Sequence, residues 1–219
     1  MLILKIDPER PDRAALDRAV AALKSGGTVV YPTETAYALG CDPFDAKAVR
    51  RLFSIKRRDA SKALPFIAAS TALAFKSVDA EPYERKLAKR FWPGPLTLVV
   101  RLKKDDDAFS SGGKNPSGQE IAIRVSPHPV AAALSRGIGG PVVSTSANRS
   151  GGATNYDIPS VLRDLGAQPD VILDAGPLAR TAPSTIVRVT GGTLAILREG
   201  PITEAEIRAQ MTDIGYTES

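Results

Sequence analysis

At 219 residues and 23.2 kDa, with 43% apolar residues, the chain has the size and composition of one medium globular domain with a real core. No apolar run approaches the roughly 20 residues that span a bilayer, which argues against a membrane role, and a single cysteine excludes an internal disulfide and points to a reducing, cytoplasmic setting. A formal charge of +5 and a pI near 9.4 suit a polyanionic ligand such as a nucleotide or RNA, but decide nothing alone.

The opening MLILKIDPERPDR turns polar at once and carries no signal-peptide pattern. From Asp12 to Lys24, Leu16, Ala19, Val20 and Leu23 share a face, which predicts an amphipathic helix closed by Gly26 and Gly27. Thr28 to Tyr31 reads as a buried strand, ended by Pro32 and followed by Thr33, Glu34 and Thr35 at its C-terminal end, where open α/β sheets keep ligand sites. Asp45 caps a helix through Val49, Leu52, Phe53 and Ile55 that runs into Lys56, Arg57 and Arg58. Leu64 to Ala68 is a second strand, with a short helix after Ser70 or Thr71. Pro82 to Phe91 is a helix, and Leu96 to Leu102 a clear strand. Lys103 to Gly118 reads as a polar, glycine-rich loop, then a strand from Glu120 to Val125 and a helix from Pro129 to Leu134. Pro141 to Val143 is a brief buried strand leading into Ser144–Asn148. A helix follows Asp157, and strands are expected at 171–173, 185–189 and 193–197, the last two a hairpin across Gly191-Gly192. Thr203 and Glu206 form a capping box for a final helix. The reading is a single α/β domain over 1–219, core about 12–209, built on a twisted mixed sheet flanked by helices.

The familiar catalytic constellations are absent. There is no GxxxxGK[ST] and so no P-loop, and one His with one Cys makes a zinc or Cys/His site a poor reading. His128 reads as an exposed capping neighbour at a helix start and Cys41 as a small buried filler. What remains is a series of hydroxyls and cations at strand ends and loops: Thr33, Thr35, Lys56, Arg58, Lys62, Arg124, Ser144, Ser146, Asn148, Ser184 and Arg198. A site without a nucleophile still catalyses group transfer by positioning substrates and neutralising charge. Each residue also has a plain reading: a solvated helix end at Lys56–Arg58, a turn at Ser144–Asn148, solvent-facing strand charges at Arg124 and Arg198. Pattern alone stops at an α/β domain with an anion cleft as one reading.

Seven collinear segments go further: YPTETAYALGCD, Lys56-Arg57-Arg58, WPGPLTLV, IAIRVSPHP, STSANRSG, PSTIV and LREG. Together they resemble the YrdC-like threonylcarbamoyl-AMP synthases, whose Lys-x-Arg and Ser-x-Asn signatures match Lys56–Arg58 and Ser146–Asn148. The resemblance implies a nucleotidyltransferase with a basic concave cleft that makes threonylcarbamoyl-AMP and pyrophosphate from L-threonine, bicarbonate (or CO2) and ATP. Magnesium would accompany the ATP, and a threonylcarbamoyl-transferase would carry the product to tRNA. It implies threonine contacts at Thr35, Arg124, Ser144 and Ser184, ATP contacts at Lys56, Arg58, Lys62, Ser146, Asn148, Thr154 and Arg198, and charge stabilisation by Lys56 and Arg58. Two positions depart from the pattern: Ala38 where many relatives have Gly, and Ile67 where some have His. The competing reading is a non-catalytic domain that binds tRNA or double-stranded RNA, against which stand only 5% aromatics and no stacking motif.

Overall fold

The computed structural model describes residues 1–57, 64–103 and 120–211. In chain order the elements are β1 (Leu2–Lys5), α1 (Arg13–Lys24), β2 (Val29–Pro32), β3 (Tyr37–Gly40), α2 (Ala46–Lys56), β4 (Pro65–Ala68), α3 (Thr71–Ala74), β5 (Val78–Asp79), α4 (Pro82–Phe91), β6 (Leu96–Leu102), β7 (Glu120–Val125), α5 (Pro129–Ile138), β8 (Val142–Val143), β9 (Thr145–Ser146), α6 (Ile158–Asp164), β10 (Val171–Asp174), β11 (Thr185–Thr190), β12 (Thr193–Arg198) and α7 (Glu204–Ala209). The strands divide between two mixed sheets. One runs β1-β10-β2-β3-β9, the other β12-β11-β6-β7-β4-β8 with β5 against β6.

Local chemistry accounts for most boundaries. Asp12, Asp45, Ser70, Asp157 and Thr203 each accept a backbone N–H at the start of their helix, as their short polar side chains favour. The 185–198 hairpin turns on Gly191 and Gly192 at φ 57° and 82°, the left-handed pair that such a turn requires. Strand β2 contains Pro32, paired opposite Tyr37, because its missing N–H falls at the strand's last position.

Alternation along the strands separates two buried clusters. Val30, Tyr37, Leu39 and Ile172 face one, while Val29, Tyr31, Ala38, Val171 and Leu173 face the other, which α1 and α5 cover. Gly40 closes the contact between sheets: a Cβ there would lie 2.3 Å from the Val143 carbonyl oxygen and 2.8 Å from the Tyr31 ring. A single residue, Ser144, then links the sheets, since β8 pairs with β4 in the second and β9 with β3 in the first.

Candidate active site

Between the sheets lies a cavity of about 410 Å3. Its wall takes Thr33, Thr35 and Ala36 from the turn after β2, Ser144, Thr145 and Ser146 from the crossing segment, and Arg124, Thr97, Ser184 and Arg198 from the second sheet. Among the described residues the wall is rich in hydroxyls, its two charged residues are both arginines, and it contains no carboxylate. Among the described residues no group of His, Cys, Asp and Glu is arranged to hold a metal ion.

The Pro32–Ala36 turn is built by its first threonine. Thr33 Oγ1 donates to the Ala36 carbonyl at 2.7 Å and stands 3.0 Å from Thr35 Oγ1. Across the turn, Thr181 Oγ1 donates to the Glu34 carbonyl at 2.9 Å. Glu34 itself reaches Arg124, whose Nη1 donates to Oε1, while Ser126 Oγ donates to Oε2 at 2.6 Å. Arg124 is 8% exposed; its burial, with the Arg198 charge adding to it, lowers its pKa to about 10. It remains a cation at any physiological pH. His128, N-cap of α5 through Nδ1, is held down to about 4 by burial first and the Arg124 charge second. It is therefore neutral at pH 7.

Ser184 ties the far wall together. Its hydroxyl lies 2.8 Å from Thr97 Oγ1 and accepts from Arg198 Nη2 at 3.2 Å, while Arg198 Nε donates to its carbonyl at 3.0 Å. These bonds fix the guanidinium of a strand-end arginine that otherwise would sweep through solvent.

Lys56 ends α2 inside the protein, 1% exposed. Its ammonium donates to the carbonyls of Ser146 and Asn148, the latter at 2.8 Å, and to Asn148 Oδ1 at 3.2 Å. Ser146 Oγ donates to the same Oδ1 at 2.6 Å, and Asn148 Nδ2 donates to the Gly152 carbonyl at 2.6 Å. The Lys and Ser-x-Asn segments, 90 residues apart in sequence, are one hydrogen-bonded unit.

The Sua5/YciO/YrdC family model, described as telomere recombination, matches residues 21–200. The chain belongs to this family. It is 38% identical over 182 residues to the threonylcarbamoyl-AMP synthase of Alkalilimnicola ehrlichii, covering 82% of this chain and 93% of that one. It is 39% identical over 175 residues to the enzyme of the same name from Thiobacillus denitrificans, with 80% and 90% covered. Among solved structures, P. abyssi Sua5 complexed with L-threonine superposes with a TM-score of 0.84 at 30% identity over 99% of this chain, which spans 62% of the Sua5 chain. E. coli YciO gives 0.80 at 26% identity, covering 94% of this chain and all of that one.

Seven of the family-implied positions meet in the cavity wall: Thr35, Arg124, Ser144, Ser146, Thr154, Ser184 and Arg198. Lys56 and Asn148 do not line it; they hold Ser146, which does. Arg58 and Lys62 lie outside the described residues, as does 104–118 of the polar loop. Ala38 and Ile67, the two departures, are both in the wall, and Ile67 is 1% exposed, so it presents an apolar surface where a His would offer a polar one.

The pattern reading missed Thr97, Tyr156 and Thr181 in the wall. Thr97 had a signal, a lone hydroxyl inside the apolar strand LTLVVRL; Tyr156 and Thr181 sit in loops and had none. Arg124 faces the interior and not solvent, because its strand lies between β6 and β4. Cys41 is a buried filler as expected, its thiol pKa pushed up by burial. His128 caps its helix and is half-buried where an exposed position was expected.

Proposed function

We propose that the chain is an L-threonylcarbamoyladenylate synthase: it joins L-threonine, bicarbonate or CO2 and ATP into threonylcarbamoyl-AMP and releases pyrophosphate. The carrying observation is a wall of hydroxyls and two arginines at the family's motif positions. Supporting it are relatives named threonylcarbamoyl-AMP synthase over most of their length, and a likeness to a Sua5 structure complexed with L-threonine.

The chemistry asks for what this wall offers. The neutral threonine amine adds to CO2 with loss of a proton, or to bicarbonate with loss of water, and a carbamate oxygen then attacks the α-phosphorus as pyrophosphate leaves. Carboxylate, carbamate and triphosphate meet within a few ångströms, and each uncompensated pair at 4 Å costs about 4 kcal/mol at an effective dielectric near 20. Arg124 takes the threonine carboxylate, with Thr35, Ser144 and Ser184 completing that subsite. Arg198, Ser146 and Thr154 face the nucleotide, and Ser184, bonded to Arg198, joins the two subsites. Lys56 and Asn148 act through Ser146 by holding it in place, and Arg58 and Lys62 have the role of further cations for the phosphates. A wall whose described residues include no carboxylate fits a magnesium ion that arrives as part of the MgATP substrate. No protein nucleophile is needed. The product is an activated acyl-phosphate, suited to a transferase acting on tRNA.

Pyrophosphate release from ATP, with threonine or bicarbonate omitted in turn, tests the reading. Release is expected only with both present. Arg124→Ala is expected to raise the threonine KM by roughly 10- to 100-fold while sparing that of ATP, and Arg198→Ala to do the reverse. Release indifferent to threonine would sink the assignment.

A further inference from the structure

Among its described residues the wall offers two cations and no anion, yet threonine is a zwitterion whose ammonium also leaves water on binding. A charge desolvated without a partner is costly. Among the described residues, the carboxylate in contact with a wall cation is Glu34, through Arg124. Glu34 stands between two wall residues, Thr33 and Thr35. Its side chain is 21% exposed. Three bonds hold it: Arg124 Nη1 on Oε1, Ser126 Oγ on Oε2 at 2.6 Å, and Thr181 Oγ1 on its carbonyl at 2.9 Å. Ser126 is aimed in turn by the His128 N–H, which donates to its oxygen at 3.1 Å. A carboxylate has about four lone-pair sites, and these side-chain bonds use two.

An α-amino acid carries its ammonium and carboxylate on one carbon, so a site that reads both needs an anion and a cation side by side. We propose that Glu34 receives the substrate's α-ammonium while Arg124 receives its carboxylate, the contacting Glu34–Arg124 pair thereby selecting an α-amino acid over a plain hydroxy acid. This rests on the threonine reading of the cavity. It also gives the acid a reason to stand where it weakens an anion-binding arginine: the pair forfeits some attraction for the carboxylate and gains discrimination.

The test is calorimetric binding, without ATP, of L-threonine and of (R)-3-hydroxybutyrate, the same molecule lacking the amine, to the wild-type protein and to Glu34→Gln. Glutamine keeps the length and the acceptor for Ser126 but not the charge. Threonine is expected to bind Glu34→Gln about 10- to 100-fold more weakly, as for a lost charged hydrogen bond, while the hydroxy acid holds or tightens. If both ligands weaken together, Glu34 merely positions Arg124; if both tighten, it is a competitor for Arg124. Either result overturns the proposal, as does an unchanged preference for threonine. A wild-type protein that binds threonine no better than the hydroxy acid overturns it without any variant, so a misfolded Glu34→Gln leaves it decidable, and Glu34→Ala repeats the comparison. Wild-type protein that binds no threonine removes the reading beneath it; wild-type preference that survives in the variant removes this inference alone.

Discussion

Single side chains here carry charge that burial makes consequential. Lys56 is the clearest. Replacing it by Met strands the Asn148 carbonyl, leaves the Ser146 carbonyl with the Asn148 N–H alone, and leaves Asn148 Oδ1 with the Ser146 hydroxyl. Lys56→Met is therefore expected to lower stability by about 2–4 kcal/mol in urea denaturation, besides loosening Ser146 in the cavity wall. His128 sets an acid limit. Its folded pKa of about 4 lies below the ordinary 6.5, so the unfolded chain binds its proton first. The stability it contributes is whole above pH 6.5 and is lost as pH falls toward 4, on the order of 3 kcal/mol at most. Denaturation midpoints across that window should flatten in His128→Asn, which retains a capping side chain. Site residues of this kind were legible in the sequence only as a collinear set. Arg124 in IAIRV has the alternation of a surface strand, and its burial follows from flanking strands that its own segment does not reveal.

At the scale of elements, long periodic segments were readable and short ones were not. Helix α4 spans Pro82 to Phe91 as its pattern indicates. Strands β3 and β9 went unread because YALG and Thr145-Ser146 acquire their extended form from each other and from β2. Helix α5 runs on to Ile138, past the expected Leu134, since Gly137 lets α1 approach: a Cβ there would lie 2.4 Å from a Val20 methyl. The capping box of α4 contains an opposing cost. Glu84 accepts from the Glu81 N–H at 2.7 Å, yet it is 3% exposed and burial lifts its pKa to about 7. Its folded pKa exceeds the unfolded value of 4.5, so the stability tied to its proton is present below pH 4.5 and is lost as pH rises to 7. Glu84→Gln keeps an acceptor without the charge, and is expected to raise the melting temperature at pH 8 while leaving it unchanged at pH 4.

For the whole molecule, a site whose walls belong to different sheets couples ligand binding to the union of those sheets. Threonine at about 100 times its Kd should add about 2.7 kcal/mol, or roughly 5–10 °C of melting temperature for a chain of this size. Arg124→Ala, tested at the same threonine concentration, should lose most of that increment. The two-sheet division itself was not legible, because nothing in PVVSTSAN marks where pairing passes from β4 to β3. That passage has a further meaning. Between Val143 and Thr145 only one residue, Ser144, spans the gap, and its N–H is tied to the Pro65 carbonyl at 2.8 Å. The segment works as a gauge block: its length fixes how far apart the two walls stand, and thus what size of molecule they clasp. One inserted glycine would widen that spacing and, by the two-residue rhythm of extended chain, also turn Ser146 away from the cavity. Change in ligand size among such proteins should therefore arise from side chains in the wall, while the length of this link stays constant.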